Sequence, residues 1–197
     1  LIVLIMSVVI HEVAHGAVAN ALGDPTAKLQ GRLTLNPIVH LDLFGSVLLP
    51  VLLYIGTGGG FVFGWAKPVP FNPYNLKDQK YGPAYVAAAG PASNLALALI
   101  FGVLYNALPA SFIPGELLLS VIVINVVLAV FNLFPIPPLD GSKILFSLLP
   151  DRLRYIEESL ERYGLIILVA FLFLGGSIIT GVALAVLNFI LGITSFL

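Results

Sequence analysis

Runs of apolar residues long enough to cross a lipid bilayer constrain the fold of this chain more than any other feature. They cover residues 1–22, 84–108, 117–134 and 164–197. About 20 apolar residues in a helix span the hydrocarbon core, and helices satisfy their own backbone hydrogen bonds there. Hydrophobic residues make up 59% of the 197 residues and charged residues 10%, whereas soluble domains hold about 25% charged residues. We therefore predict an all-α, multi-pass membrane protein with about five to six hydrophobic segments, forming a single domain over residues 1–197.

Two segments between the first and second long runs are too short or too polar to be ordinary spans. In residues 27–35, leucines alternate with polar residues, which predicts a short β-hairpin at the membrane surface. Residues 43–55 form a 13-residue apolar run that ends at a glycine-rich stretch, residues 56–60. A run of this length indicates a re-entrant segment that enters the membrane and returns. We assign this re-entrant segment to residues 43–63.

The end of the chain divides into two further parts. Residues 150–163 carry seven charges with apolar residues at helical spacing, which is typical of an amphipathic helix at the membrane interface. We predict an amphipathic connector there, followed by C-terminal hydrophobic helices over residues 164–197. The pair Gly175 and Gly176 is expected to break this last run.

The distribution of lysine and arginine predicts the orientation of the loops. The connector 109–116 contains neither residue, so it is expected to face outward by the positive-inside rule. Residues 23–42 and 65–83 carry lysine or arginine and are expected to face the cytoplasm. The span that follows the outer connector then delivers residues 135–141 to the cytoplasmic side.

The sequence His-Glu-Val-Ala-His lies at residues 11–15, inside the first apolar run. Residues four apart share one face of a helix, so His11 and His15 can bind one metal ion. Glu12, on the next residue, can reach a water molecule at that ion. Ionisable residues in a lipid-length helix are costly and usually functional. The alternative interpretation is a polar patch packed between helices.

A catalytic zinc ion usually has three protein ligands and a water, so a third ligand must come from elsewhere. The chain contains no cysteine, which excludes a thiolate ligand. Asp140 is our candidate, because three prolines within residues 132–141 stop the helix and leave extended backbone. At membrane depth such backbone is tolerated only where it is buried in protein or lines a wet cavity, and a carboxylate there can turn towards a metal ion. The alternative for Asp140 is a turn or cap residue. His40 is the rival ligand, or a residue near the site.

Several motifs together resemble the site-2 protease family of intramembrane zinc metalloproteases. They are residues 11–15, Gly-Pro-Ala-Ser-Asn at residues 90–94, and residues 132–141 with their Pro-Pro-Leu-Asp-Gly ending. Residues 31–37 and 64–70 are similar to the compact prokaryotic subgroup that lacks a PDZ domain. The resemblance is firmest over residues 11–145, and it implies a catalytic core within residues 1–145.

The resemblance implies one Zn²⁺ per chain, bound by His11, His15 and Asp140. It implies that Glu12 is the catalytic acid and base. Asn132 and Asn94 are expected to lie near the site and to position the substrate or its oxyanion. The implied reaction is hydrolysis of peptide bonds in transmembrane protein substrates, inside the cell membrane and near its cytoplasmic side.

Two other classes of function remain open from the residues. A protein that binds zinc without cleaving anything would need no base, and Glu12 counts against it. A transporter or channel would also place ionisable residues in the membrane, but the chain has no inverted repeat. The expected partners are a transmembrane protein substrate and the lipid bilayer. A net charge of -1 gives no indication of nucleic-acid binding.

Overall fold

The computed structural model of the chain describes residues 1–60, 64–109, 114–150 and 154–194. These residues form helices and connecting turns, and they contain no strand. The α-helices are α1 (Ile2–Ala21), α2 (Thr26–Leu29), α3 (Leu49–Gly56), α4 (Gly82–Ala107), α5 (Gly115–Leu133), α6 (Asp140–Leu148), α7 (Arg154–Arg162), α8 (Gly164–Leu174) and α9 (Gly176–Thr194). Short 3₁₀ turns cover Pro37–His40 and Pro73–Asn75.

Four of these helices, α1, α4, α5 and α9, are long and apolar enough to cross a membrane. Two shorter apolar helices cover Leu43–Gly56 and Gly164–Leu174. The all-α prediction is confirmed for the described residues. How many of the six apolar helices cross the bilayer stays a prediction.

Helix α4 is the centre of the bundle, because it packs against α1, α5, α6 and α9. The buried core between α4, α5 and α9 is made of Ala98, Ile122, Val126, Val130, Ala183 and Ile190. Much of the remaining apolar surface is exposed, including large side chains along α3 and α9. Such a surface suits lipid contact, since a bilayer needs apolar side chains on the outside of a protein.

The β-hairpin predicted over residues 27–35 is wrong for this segment. The chain forms a single helical turn, Thr26–Leu29, which ends where Gly31 adopts φ +65°. The amide of Gly31 donates to the carbonyl of Lys28, and the amide of Arg32 donates to that of Ala27. This pair of hydrogen bonds is a Schellman motif, which closes a helix and turns the chain. The alternation of leucines therefore reflects a turn and not a strand.

The segment predicted to be re-entrant begins with a wide helical turn over Leu43–Leu48 and continues as α3. Asp42 caps it, since its Oδ1 accepts from the amide of Gly45 at 2.6 Å. A side chain at residue 45 would collide with the indole of Trp65, so glycine permits the contact between the two segments. Residues 61–63 lie outside the described residues, and the re-entrant path stays a prediction.

The C-terminal part shows the break expected from the sequence. Helix α8 ends at Leu174 and α9 begins at Gly176. Helix α7 covers most of the predicted amphipathic connector 150–163, of which residues 151–153 lie outside the described part. Residues 195–197 of the predicted C-terminal helices also lie outside it.

Candidate metal centre

One face of α1 carries the polar residues that point into the bundle. Ser7, His11, His15 and Ala19 are four residues apart and all are buried. This spacing places their side chains above one another on the face that meets α4 and α5. The apolar remainder of α1 is left for lipid or for packing.

Helix α4 fixes the orientation of both histidine rings. His15 Nδ1 lies 2.7 Å from the carbonyl oxygen of Val86. Because that oxygen can only accept a hydrogen bond, Nδ1 carries the hydrogen, and Nε2 of the neutral ring presents a lone pair. His11 Nδ1 lies 2.6 Å from Asn94 Oδ1. Partners of this kind set the tautomer of metal-binding histidines.

A buried polar chain behind His11 holds the amide of Asn94 in one orientation. Asn94 Nδ2 donates to Asn125 Oδ1 at 2.8 Å and to the carbonyl oxygen of Ser7 at 3.3 Å. Asn125 Nδ2 in turn donates to Ser7 Oγ at 2.9 Å. Since a carbonyl cannot donate, Asn94 must direct its Nδ2 away from the histidine and its Oδ1 towards it. Both asparagines are fully buried, so the orientation of His11 is set by α1, α4 and α5 together.

The break after α5 brings Asp140 to the two histidines. Prolines 135, 137 and 138 follow the end of α5 at Leu133, and α6 begins at Asp140. A Cβ at residue 141 would collide with the backbone carbonyls of Leu133 and Phe134. Gly141 therefore lets the start of α6 pack directly against the end of α5. This close approach directs the Asp140 carboxylate into the site.

The three side chains meet at one point. Asp140 Oδ2 lies 3.1 Å from His11 Nε2 and 3.2 Å from His15 Nε2. Four-coordinate zinc with bonds of about 2.0–2.1 Å places its ligand atoms about 3.3 Å apart, close to these separations. An ionised carboxylate and two imidazole lone pairs repel one another when no cation lies between them. Together they form a suitable ligand set for one divalent cation. His11, His15 and Asp140 can therefore hold one metal ion.

Gly90 of α4 forms the wall of this centre. A Cβ built at residue 90 would lie 2.5 Å from Nε2 of both His11 and His15. A side chain there would occupy the space between the ligand atoms and the helix. Pro91 follows directly and is buried inside α4. The absence of a side chain at this position is therefore part of the site.

Glu12 lies on the same helix but contacts a different element. Its Oε2 accepts a hydrogen bond of 2.8 Å from the backbone amide of Val69. Val69 belongs to residues 64–71, which lie in the chain between the apolar helix Leu43–Gly56 and the loop before α4. Glu12 is only partly buried, so it remains accessible to water.

The remaining residues expected near the site, Asn132 and His40, contact backbone carbonyls in the structure. Asn132 donates through Nδ2 to the carbonyl of Leu128 at 2.9 Å, one turn earlier in α5. His40 is buried and its Nε2 lies 2.9 Å from the carbonyl oxygen of Thr34. His40 is not in the described group whose ligand atoms converge, which favours Asp140 over His40 as the third ligand.

Sequence reasoning missed Ser7, Gly90, Asn125 and Val69 as parts of the site. A signal existed for two of them. Ser7 stands four residues before His11, and Asn125 interrupts the apolar run of α5. Polar side chains inside apolar spans usually bond across helices, so both were candidates for partners of the motif.

Comparison with known proteins agrees with this geometry. "Peptidase family M50" matches residues 109–175. The chain is 45% identical to "Putative zinc metalloprotease YwhC" of Bacillus subtilis (strain 168), over 84% of this chain and 76% of that protein. It is 31% identical to "Putative zinc metalloprotease Rip2" of Mycolicibacterium smegmatis, over 85% of this chain and 64% of that protein. It is 40% identical to "Putative zinc metalloprotease MJ0611" of Methanocaldococcus jannaschii, over 43% and 45%. No solved structure matches the chain at a significant level.

The match to a relative across most of both chains confirms the resemblance to site-2 proteases that the sequence motifs indicate. The four long apolar helices agree with a multi-pass membrane protein. The three converging ligands agree with a zinc enzyme. The chain belongs to peptidase family M50, the zinc metalloproteases of the site-2 type.

Proposed function

We propose that this chain is an intramembrane zinc endopeptidase that cleaves transmembrane protein substrates near the cytoplasmic side of the bilayer. The observation that carries the proposal is the placement of Glu12 beside His11 on a helix of lipid length, with His15 and Asp140 closing a three-ligand centre. A site that only stores zinc has no use for a carboxylate next to its ligands. The names of the relatives agree with protease chemistry.

Zinc supplies Lewis-acid chemistry when bound, making a water molecule acidic enough to react near neutral pH. His11, His15 and Asp140 are the residues that hold it. Glu12 takes a proton from the attacking water and passes it to the leaving amine of the cleaved peptide bond. The half-buried Asn132, in the last turn of α5, is assigned as a donor to the carbonyl oxygen of the substrate.

Asn94 takes a different role from the one expected from the resemblance. Both of its polar groups are engaged, with His11 on one side and with Asn125 and Ser7 on the other. It therefore has no donor left for an oxyanion. We assign Asn94 to positioning His11. His40 is assigned to supporting the surrounding chain, because its Nε2 contacts the carbonyl of Thr34 and its own carbonyl accepts from the amide of Lys67.

The cytoplasmic location of the reaction rests on the charge of the loops. Lys67, Lys77 and Lys80 lie in the segment that reaches the site, and Lys143 lies in α6. By the positive-inside rule these residues face the cytoplasm. A helical substrate must unwind there, because its carbonyls are otherwise hydrogen-bonded within the helix.

The test uses a synthetic transmembrane peptide with a fluorophore and a quencher on either side of its cytoplasmic third, reconstituted with the protein in phosphatidylcholine vesicles. Wild type loaded with zinc is expected to cleave it. Glu12→Gln, at the same zinc content, is expected to lose activity by about 10²-fold or more. Cleavage that survives in Glu12→Gln would assign the base elsewhere. A zinc-loaded wild type that cleaves no peptide would favour a zinc-binding protein without protease activity.

A further inference from the structure

Residues 64–71 form neither helix nor strand and run past Glu12, and we name them the proline strap. Three alternate amides of the strap donate to three different parts of the chain. The amide of Trp65 donates to the carbonyl of Gly45 at 3.1 Å, that of Lys67 to the carbonyl of His40 at 2.8 Å, and that of Val69 to Glu12 Oε2. Alternation of this kind places residues 65, 67 and 69 along one edge of the strap.

Prolines occupy the opposite edge of the strap, at residues 68 and 70. Proline has no amide hydrogen, so this edge cannot donate hydrogen bonds there. Proline also restricts the residue before it to extended backbone. In the strap these residues are Lys67 and Val69. The sequence thus fixes the strap in the conformation that presents the Val69 amide to Glu12.

Arg32 holds the strap from the side of α2. Its side chain is 6% exposed, and Nη2 donates to the carbonyl of Lys67 at 2.8 Å and points to that of Pro68 at 3.4 Å. No ion pair to Arg32 forms within the described residues, and its Nε is buried without a hydrogen-bond partner there. Burying a cation with carbonyls as its partners is costly. That cost points to a function for the contact.

The side chain of Val69 fixes the register between the strap and α1. A Cβ at Gly16 would lie 2.8 Å from Val69 Cγ1 and 2.6 Å from Leu33 Cδ2. Gly16 therefore provides the space in which Val69, 7% exposed, packs one helical turn beyond Glu12. Arg32 and Gly16 together determine where the Val69 amide lies.

We propose that the proline strap, clamped by Arg32, positions the catalytic carboxylate of Glu12 through the Val69 amide. The amide occupies Oε2 and leaves Oε1 of Glu12 to exchange protons with the attacking water. Arg32 is thus a positioning residue for the base, and its own hydrogen bonds go to the carbonyls of Lys67 and Pro68. This inference rests on the proposed protease function for its kinetic consequences, but not for its structural ones.

The structural arm of the test is amide hydrogen exchange in detergent micelles. Residues 68 and 70 are proline and have no amide hydrogen. In a peptide of residues 66–70 the first two residues keep no label, so Val69 is the one amide that it reports. Glu12→Ala and Arg32→Met are each expected to speed exchange at Val69 about tenfold or more. Lys28→Met, which removes an exposed cation from the same segment, should leave it unchanged. Unchanged exchange in Glu12→Ala would overturn the proposal.

The kinetic arm uses zinc-loaded protein and the quenched transmembrane peptide. Arg32→Met and Val69→Pro are expected to lower kcat about 10- to 100-fold, with KM within about threefold of wild type and one zinc per chain retained. Val69→Thr keeps both the amide and a side chain of the same shape, so it should retain most of the kcat, and Arg32→Lys should restore part of the kcat lost in Arg32→Met. A rise in KM alone would make the strap a substrate-binding element, and loss of zinc would make it a support for the ligands. Either result overturns the proposal.

The two arms separate this inference from the proposed function. If wild type cleaves no peptide, the protease function fails while the exchange arm still decides whether the strap engages Glu12. If wild type cleaves normally and Val69→Pro has an unchanged kcat, the strap has no positioning role and the protease function stands.

Discussion

At the scale of single residues, the missing side chain of Gly90 matters as much as the ligands that are present. We predict that Gly90→Ala lowers bound zinc from one per chain to well below half, because the added methyl group would lie 2.5 Å from both Nε2 atoms. Elemental analysis of protein purified without chelators measures this. Gly181→Ala is the control, since a Cβ at residue 181 of α9 meets nothing within 4 Å. Full zinc in Gly90→Ala would mean that α4 can move away from the site.

The hydrogen bond behind His11 gives a second prediction. Asn94→Leu is expected to weaken zinc affinity about 10- to 100-fold, because outer-shell partners of this kind orient their histidines. Competition with a fluorescent zinc chelator measures it. Asn106→Leu is the matched control, as Asn106 lies on the same helix and bonds to Thr194 Oγ1 at 2.7 Å, away from the site. Equal zinc affinities in the two variants would contradict the role of Asn94.

Contacts between residues one helical turn apart were predictable from the sequence. Contacts made by the packing of different helices were not. His11 and His15 share a face because of helix geometry alone. Asp140 was predictable because prolines had to end the helix before it. Asn94 and Asn125 stand 31 residues apart, and no local pattern states that α4 and α5 bring them together. Their roles depend on the order in which helices pack, which a single sequence does not display.

At the scale of elements, Asp24 joins the end of α1 to the loop that follows the proline strap. Its carboxylate is fully buried and accepts from the amide and hydroxyl of Thr26, the amide of Asn72 at 2.6 Å and Asn75 Nδ2 at 2.8 Å. Burial alone would raise the pKa of Asp24. The hydrogen bonds to its carboxylate lower the pKa by more than burial raises it, so the net pKa lies below its ordinary value.

A pH dependence of stability follows from that lowered pKa. The folded carboxyl releases its proton more readily than the unfolded one, so the ionised form stabilises the fold above the unfolded pKa of about 3.9. This stabilisation is lost as pH falls through the folded pKa. We expect wild type to have a higher Tm than Asp24→Asn at pH 6, and the difference in Tm to shrink as pH falls below about 4. Thermal unfolding in a non-ionic detergent measures it, and a constant gap would contradict the assignment.

The segment around Arg32 shows why one element was mispredicted. Leu29, Leu33 and Leu35 alternate with polar residues, which is the period of a strand. Gly31 at φ +65° reverses the chain after one helical turn, and Arg32 turns inward to the proline strap. Alternation over so few positions does not distinguish a strand from a turn when one of the polar residues, here Arg32, is buried by its contact with the proline strap. The break between α8 and α9 was predictable, because paired glycines weaken any helix.

At the scale of the whole molecule, the absence of cysteine from the sequence makes the topology directly testable. Single cysteines at Glu116 and at Ser159 are expected to react with a membrane-impermeant maleimide from opposite sides of the bilayer, with Ser159 cytoplasmic. A cysteine at Gly58 should react from the same side as Ser159 if residues 43–63 enter and return. Labelling of residue 58 from the side of Glu116 would make that segment a full span. The wild-type chain serves as the unlabelled control.

The distance along the chain between His11 and Asp140 has a consequence for biosynthesis. The two residues that meet in the site are 129 positions apart, so at 5–20 residues per second roughly 6–26 s separate their emergence from the ribosome. During that interval the nascent chain holds two imidazoles and a carboxylate but no complete ligand set. Hydrolytic competence arrives only when α6 has docked beneath α4. The three-ligand site is thus completed only after Asp140 has been synthesised, 129 residues after His11.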